Sequence, residues 1–98
     1  MVYKQLGRSD KTLKFITLAN KTIKEIEKEI IAYQNNNGKD GNLPQLEKIL
    51  LEVKQMLDLQ SPKRYMPSYP RTIVDSWDYK SILGNMLLEL NDLYKNLD

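Results

Sequence analysis

The chain of 98 residues contains no cysteine and no histidine. Without cysteine it has no disulfide, no thiolate metal site and no cysteine nucleophile. Without histidine it lacks the commonest general base at neutral pH and the commonest metal ligand, which excludes Ser-His-Asp hydrolysis and nearly every zinc mechanism. We therefore expect a protein that is not an enzyme and that carries no cofactor.

Long apolar runs are also missing. No stretch approaches the roughly 18 apolar residues that span a bilayer, and the opening MVYKQLGRSDKTLK lacks the apolar centre of a secretion signal. The absence of cysteine fits a reducing compartment. We expect a cytoplasmic protein that does not engage a membrane.

What is present is an ordinary globular composition. Hydrophobic residues make up 41% and charged residues 29% of the chain, which predicts one folded domain over residues 1–98. The net charge of +2 is unevenly spread, because residues 1–24 hold six Lys and Arg residues against one Asp. The sequence thus has basic zones without being a basic protein.

Three segments space their apolar residues three and four apart, which is the pattern of one face of an α-helix. The spacing predicts helices over about residues 9–36, 44–59 and 79–97. Ser9 is a suitable cap for the first helix. The apolar stripe predicted for this helix is Ile16, Ala19, Ile23, Ile26, Ile30 and Tyr33. We expect an all-α fold, an antiparallel three-helix bundle.

A long connector, residues 60–78, precedes the last predicted helix. It holds three of the four prolines, the single Trp and two of the three arginines. Residues before proline avoid the α region, so we expect extended backbone here, with Thr72-Ile73-Val74 as a short extended piece. Long loops are often functional, and this one has more aromatic, Pro and Arg residues than connectivity requires.

Two carboxylate pairs allow a chemical and a structural interpretation. Asp75 and Asp78 flank Trp77 and could form an acid pair, but capping of the last helix and an ion pair with Arg71 is the favoured interpretation. Glu25 and Glu29 share a helix face, yet metal sites in bundles combine such pairs with His. We expect these two glutamates to be solvated helix surface.

Gly84 lies inside the last predicted helix, where glycine costs up to about 1 kcal/mol relative to alanine. A neighbouring element that packs closely against the backbone at Gly84, in particular the first helix, would explain why glycine is present.

The segment Tyr69-Pro70-Arg71-Thr72-Ile73-Val74-Asp75-Ser76-Trp77-Asp78 is followed by Leu83-Gly84 and a Leu-rich helix that ends near Tyr94. Over about residues 69–97 this pattern resembles small cytosolic bacterial immunity proteins of toxin/immunity systems, including contact-dependent inhibition. The resemblance implies a protein that binds and blocks a cognate toxin domain. Immunity proteins against nucleases are often acidic, so a mildly basic chain implies an acidic toxin surface or binding away from a basic active site.

The residues expected to contact a partner protein lie in or beside the connector. They are Arg64, Tyr65, Tyr69, Arg71, Trp77 and Asp78. Tyr, Trp and Arg are enriched in interface hot spots. Tyr65, Tyr69 and Arg71 are expected to face outward and Trp77 inward, while an alternative interpretation has Trp77 and Tyr79 plugging one end of the bundle.

Two other functions stay open at this level. A nucleic-acid-binding or regulatory domain would use basic residues for phosphate contacts, and the candidates are Lys14, Lys21, Lys24, Arg64 and Arg71. A structural phage or assembly subunit is the second alternative. The sequence does not define the oligomeric state.

Overall fold

The computed structural model describes residues 10–97, and every regular element in this range is helical. The four helices are α1 (Asp10–Gln34), α2 (Leu43–Leu59), α3 (Tyr69–Ser76) and α4 (Ile82–Lys95). The all-α prediction is confirmed, but the chain has a fourth helix where the extended connector was expected. The predicted Ser9 cap lies outside the described residues.

A short connection, residues 35–42, joins α1 to α2. The carboxylate of Glu29 accepts hydrogen bonds from the backbone N–H groups of Lys39 and Asp40, at 2.6 and 2.7 Å. The Tyr33 hydroxyl donates to the carbonyl oxygen of Gly41 at 2.5 Å. Glu29 is therefore a structural acceptor for the turn rather than merely solvated surface.

Both ends of α2 have recognisable caps. The Asn42 side chain accepts a hydrogen bond from the backbone N–H of Gln45 at 2.9 Å, and a proline stands in the first turn, where its missing N–H costs nothing. At the other end Gln60 adopts a left-handed conformation with φ 49° and donates its N–H to the Met56 carbonyl. These caps explain why the predicted limits of this helix are close to the observed ones.

The core lies where α1 packs against both α2 and α4. Phe15 and Tyr94 meet near one end, with ring centroids 5.4 Å apart, so α4 runs antiparallel to α1. The fully buried positions of α1 are Phe15, Ala19, Thr22 and Ile26. Of the stripe predicted for α1, only Ala19 and Ile26 are fully buried. The other members are only partly buried against the core: Ile16, Ile23, Ile30 and Tyr33.

Thr22 is the polar residue within this core face. Its hydroxyl donates to the carbonyl oxygen of Leu18, one turn earlier, at 2.7 Å. This bond satisfies the hydroxyl without a partner from another helix, so a polar side chain is accommodated between α1 and its neighbours.

The helix α3 replaces the predicted extended piece at Thr72-Ile73-Val74. Proline stands in its first turn, and Tyr69 and Ile73, four residues apart, are both buried. Contacts place the start of α3 beside the middle of α2 and α4 and its end at their N-termini. The helix therefore runs antiparallel to both and closes the cleft between them.

The N-terminus of α4 is capped by Ser81, whose Oγ accepts from the Gly84 N–H at 2.8 Å. The prediction that Asp75 or Asp78 caps this helix is wrong. Asp75 lies within α3, and Asp78 accepts from the Lys80 N–H at 2.9 Å in the turn before α4. Helix α4 therefore begins at Ile82, a few residues later than the predicted start near residue 79.

Within residues 10–97, none of the helices has both the length and the apolar character needed to cross a membrane.

Candidate partner-binding site

Trp77 is the residue that joins α3 to the rest of the bundle. Its side chain is 8% exposed, and its indole N–H donates to Oε1 of Gln45 on α2 at 3.2 Å. A Cβ atom on Gly84 would lie 3.2 Å from the indole Cε3. The inward orientation of Trp77 is confirmed, and the close neighbour of Gly84 is this indole rather than α1.

Tyr69 does not face outward, so that part of the prediction is wrong. The side chain is 2% exposed, and its hydroxyl donates to the carbonyl oxygen of Leu87 at 2.8 Å. Burial, with a smaller contribution from the nearby Glu52 carboxylate, raises the pKa of Tyr69 well above its usual value. Tyr69 is therefore a neutral core residue that ties α3 to α4.

Glu52 on α2 holds the first turn of α3. Its Oε1 accepts from the backbone N–H groups of Ser68 and Tyr69 at 3.1 and 2.9 Å, and its Oε2 accepts from the Ser68 hydroxyl at 2.6 Å. A carboxylate at a helix N-terminus satisfies orphan donors and complements the helix dipole. The Ser68 side chain does not cap the helix itself, so Glu52 takes that role.

Tyr65 is half-buried where the connector leaves α2. The Tyr94 hydroxyl lies 2.6 Å from the Tyr65 carbonyl oxygen and 2.8 Å from that of Ser61. Both carbonyls are thus held against the C-terminal part of α4. The backbone at Tyr65 is consequently fixed to the bundle, while part of its ring remains accessible.

The charged members of the predicted set lie on the surface. Arg64 and Asp78 are exposed, and the Arg71 Nε lies 3.4 Å from Asp75 Oδ2 with both side chains largely in solvent. The predicted ion pair of Arg71 is present, but an exposed pair of this kind contributes only about 0–1 kcal/mol. Arg64 and Arg71 are thus solvent-accessible side chains, whereas Asp78 is exposed but also accepts a hydrogen bond from the Lys80 N–H in the turn before α4.

A concave surface lies between α3 and α4 beside Trp77 and Asp78. This α3–α4 pocket has a volume of about 180 Å³. Its lining residues are Ile73, Val74, Trp77, Asp78, Tyr79, Gly84, Asn85 and Leu88. Small-molecule pockets usually start at about 300 Å³, so the α3–α4 pocket is smaller than a typical small-molecule site.

Two apolar residues at the pocket are strongly exposed. Val74 is 69% and Tyr79 is 82% exposed, so Tyr79 does not plug the end of the bundle. The Lys80 Nζ lies 5.7 Å from the centre of the Tyr79 ring, in cation–π contact. Asn85 donates to the carbonyl oxygens of Tyr79 and Ser81 at 3.0 and 2.8 Å, which fixes the turn that presents Tyr79.

Of the residues that line the pocket, sequence reasoning named only Trp77 and Asp78 as site members and missed the others, among them Val74 and Tyr79. The signal for Val74 is its position in α3, one residue after the buried Ile73, on a face that α4 does not cover. That signal exists only once residues 69–76 are recognised as a helix. The structure brings Trp77 and Asp78 to the pocket, whereas Arg64, Tyr65, Tyr69 and Arg71 do not line it.

The basic residues considered for nucleic-acid binding are distributed over different helices. Lys14 and Lys21 line a groove between α1 and α4, while Arg71 lies on α3. Among residues 10–97 no cluster of three or more Asp, Glu, His or Cys could hold a metal ion. The Glu25 carboxylate pairs with Lys28 at 3.1 Å, and Glu29 holds the turn described above.

Comparisons of the chain with protein-family models, with curated proteins and with solved structures find no significant match.

Proposed function

We propose that this chain is a non-enzymatic protein-binding module and that its partner contacts the α3–α4 pocket. The observation that carries this proposal is the exposure of Val74 and Tyr79 beside a concave surface whose floor is the buried Trp77. Exposed aromatic and aliphatic side chains around a small pocket are typical of an interface hot spot. Asp78 is exposed at the pocket and supplies a polar contact there, while Arg71 is exposed on α3 outside the residues that line the pocket.

Two hydrogen bonds hold parts of the pocket in place, which favours binding. Trp77 is held by Gln45, and Asn85 donates to the carbonyl of Tyr79. Because the Trp77 side chain and the Tyr79 backbone are already held, less conformational entropy is lost there when a partner binds. A preformed pocket of this kind is typical of recognition rather than of a flexible connector.

The specific partner that we propose is a bacterial toxin domain, which this chain would bind and neutralise in the cytoplasm. The support is the resemblance of residues 69–97 to immunity proteins, since α3, the pocket and α4 all fall within that range. Its mildly basic charge fits a toxin surface that is acidic, or a contact outside a basic active site.

The test of this proposal is co-expression with the toxin whose gene lies directly upstream in the source genome. The wild-type chain should restore growth of the host cell. Val74→Lys and Tyr79→Ala should reduce rescue and weaken binding to the purified toxin domain by about tenfold or more. Leu51→Lys is the matched control, because Leu51 is as exposed as Val74 but lies on α2 outside the pocket.

Circular dichroism of each variant should show the helicity of the wild-type chain, since all three side chains are exposed. If the wild-type chain fails to rescue growth, toxin neutralisation is wrong. If Val74→Lys and Leu51→Lys bind the toxin equally well, the partner does not use the α3–α4 pocket.

A further inference from the structure

A second concave surface lies on another face of α4, between α4 and α1. This α1–α4 groove has a volume of about 630 Å³ and is open to solvent. Leu13 and Leu18 of α1 and Leu93 of α4 supply apolar surface along it. Leu13 is 49% exposed, so the groove presents apolar area that no described part of the chain covers.

The walls of the α1–α4 groove differ in charge. Lys14 and Lys21 stand on the α1 wall, and neither forms an ion pair with a carboxylate of residues 10–97. Being seven residues apart, they lie on the same face of α1 and are separated by about 10.5 Å along its axis. Glu89 is the charged residue of the α4 wall, and within the described range it too has no ion-pair partner.

We infer that the α1–α4 groove binds an acidic amphipathic helix of another protein. The two walls are antiparallel helices, and a third helix packs along such a pair with its apolar stripe in the groove. Its stripe would contact Leu13, Leu18 and Leu93. Its acidic edge would carry two carboxylates seven residues apart, facing Lys14 and Lys21, and a basic residue on the other edge would face Glu89.

The asymmetry of the charges argues for a peptide helix over a nucleic acid. A phosphate backbone would meet the two lysines, but it brings no apolar surface for the three leucines and is repelled by Glu89. An acidic amphipathic helix satisfies all of these groups at once. This inference is independent of the α3–α4 pocket, since the two surfaces share no lining residue.

The probe is a synthetic, fluorescently labelled helical peptide of about 14 residues. Its apolar stripe is made of leucine, two Glu residues are placed seven apart on one edge, and an Arg stands on the other. A second peptide has the same stripe with all these charges reversed. Fluorescence polarisation measures the affinity of each peptide for the full-length chain at low and at high salt.

The protein variant is the double substitution Lys14→Glu and Lys21→Glu. It should weaken binding of the acidic peptide by about tenfold or more and strengthen binding of the reversed peptide. The control is Lys11→Glu with Lys24→Glu, which makes the same change of net charge on exposed positions of α1 outside the groove. Leu13→Gln, which leaves the net charge unchanged at an exposed position, should also weaken binding of the acidic peptide.

Three outcomes would overturn the inference. One is the absence of binding of the acidic peptide to the wild-type chain at low salt. Another is an equal loss of affinity in the two double variants, which would mean that only net charge matters. The third is salt-sensitive binding of a DNA duplex that depends on Lys14 and Lys21 without any peptide binding, which would assign the groove to nucleic acid.

Discussion

The indole N–H of Trp77 and the side-chain oxygen of Gln45 are joined by a hydrogen bond of 3.2 Å. This bond links the end of α3 to the first turn of α2 across 32 residues of sequence. The same ring lies against Gly41, where a Cβ atom would be 2.8 Å from Cζ2. One side chain thus connects α3, the turn before α2 and, through Gly84, the start of α4.

Replacement of Trp77 by Phe should destabilise the fold. The smaller ring leaves a void between Gly41 and Gly84 and removes the donor of the Gln45 bond. Together we expect a loss of about 1–3 kcal/mol in the free energy of unfolding. Urea unfolding followed by circular dichroism measures it. The exposed Tyr79→Phe is the control, and its free energy should stay within about 0.5 kcal/mol of the wild type. Equal stability of the two variants would show that the indole is not a structural link.

Replacement of Glu52 by Ala should loosen the start of α3. It removes three hydrogen bonds to Ser68 and Tyr69, and loss of an N-terminal cap of this kind costs about 1–2 kcal/mol. Amide hydrogen exchange should accelerate in residues 68–73 before it does in α1. Glu47→Ala, an exposed position on the same helix, is the control. Unchanged exchange in α3 of Glu52→Ala would contradict the capping role.

Alkaline pH should destabilise the protein through tyrosines that are fully or partly buried. Burial raises the pKa of Tyr69, and it raises the pKa of Tyr33, Tyr65 and Tyr94 as well. An unfolded tyrosine ionises near about pH 10 while the folded one stays neutral. Stability is therefore complete below about pH 10 and falls as the pH rises above it, because the unfolded state then binds fewer protons.

Tyr69→Phe isolates one of these groups. At neutral pH the free energy of unfolding of this variant should be about 1 kcal/mol lower than that of the wild type, because the hydrogen bond to Leu87 is removed. Above about pH 10 its free energy of unfolding should fall less steeply than that of the wild type. Urea titrations over a pH series compare the two slopes, and parallel slopes would exclude Tyr69 as a source of the alkaline sensitivity.

The helices α1, α2 and α4 could be predicted because their signals are local. Apolar spacing and the proline and asparagine positions lie within each segment or next to it. The helix α3 could not be predicted from the Tyr69-Pro70 pattern alone, since proline also occupies the first turn of helices. The Glu52 carboxylate, which lies 16 residues from Ser68 in sequence, favours the helical backbone by capping its first turn. The burial of Tyr69 and Ile73 on one helix face favours it too.

The candidate site was predictable only in part. Trp77 was expected to face inward, and it does. Tyr69 was expected to face outward and is buried, because helical backbone puts it on the same face as Ile73. Arg64 and Arg71 are exposed as predicted, since arginine side chains are rarely fully buried. The pocket rim at Val74 and Tyr79 depends on how two helices meet, which apolar spacing within one segment does not encode.

Trp77 is the only tryptophan of the chain, and its position gives the protein a built-in spectroscopic reporter. Its fluorescence follows the docking of α3 onto α2 and α4, whereas the far-ultraviolet dichroism follows mainly the longer helices. A difference between the two unfolding curves would identify α3 as a segment that detaches before the bundle melts. Because the same indole forms the floor of the α3–α4 pocket, an inserted side chain should also shift its emission without any added label.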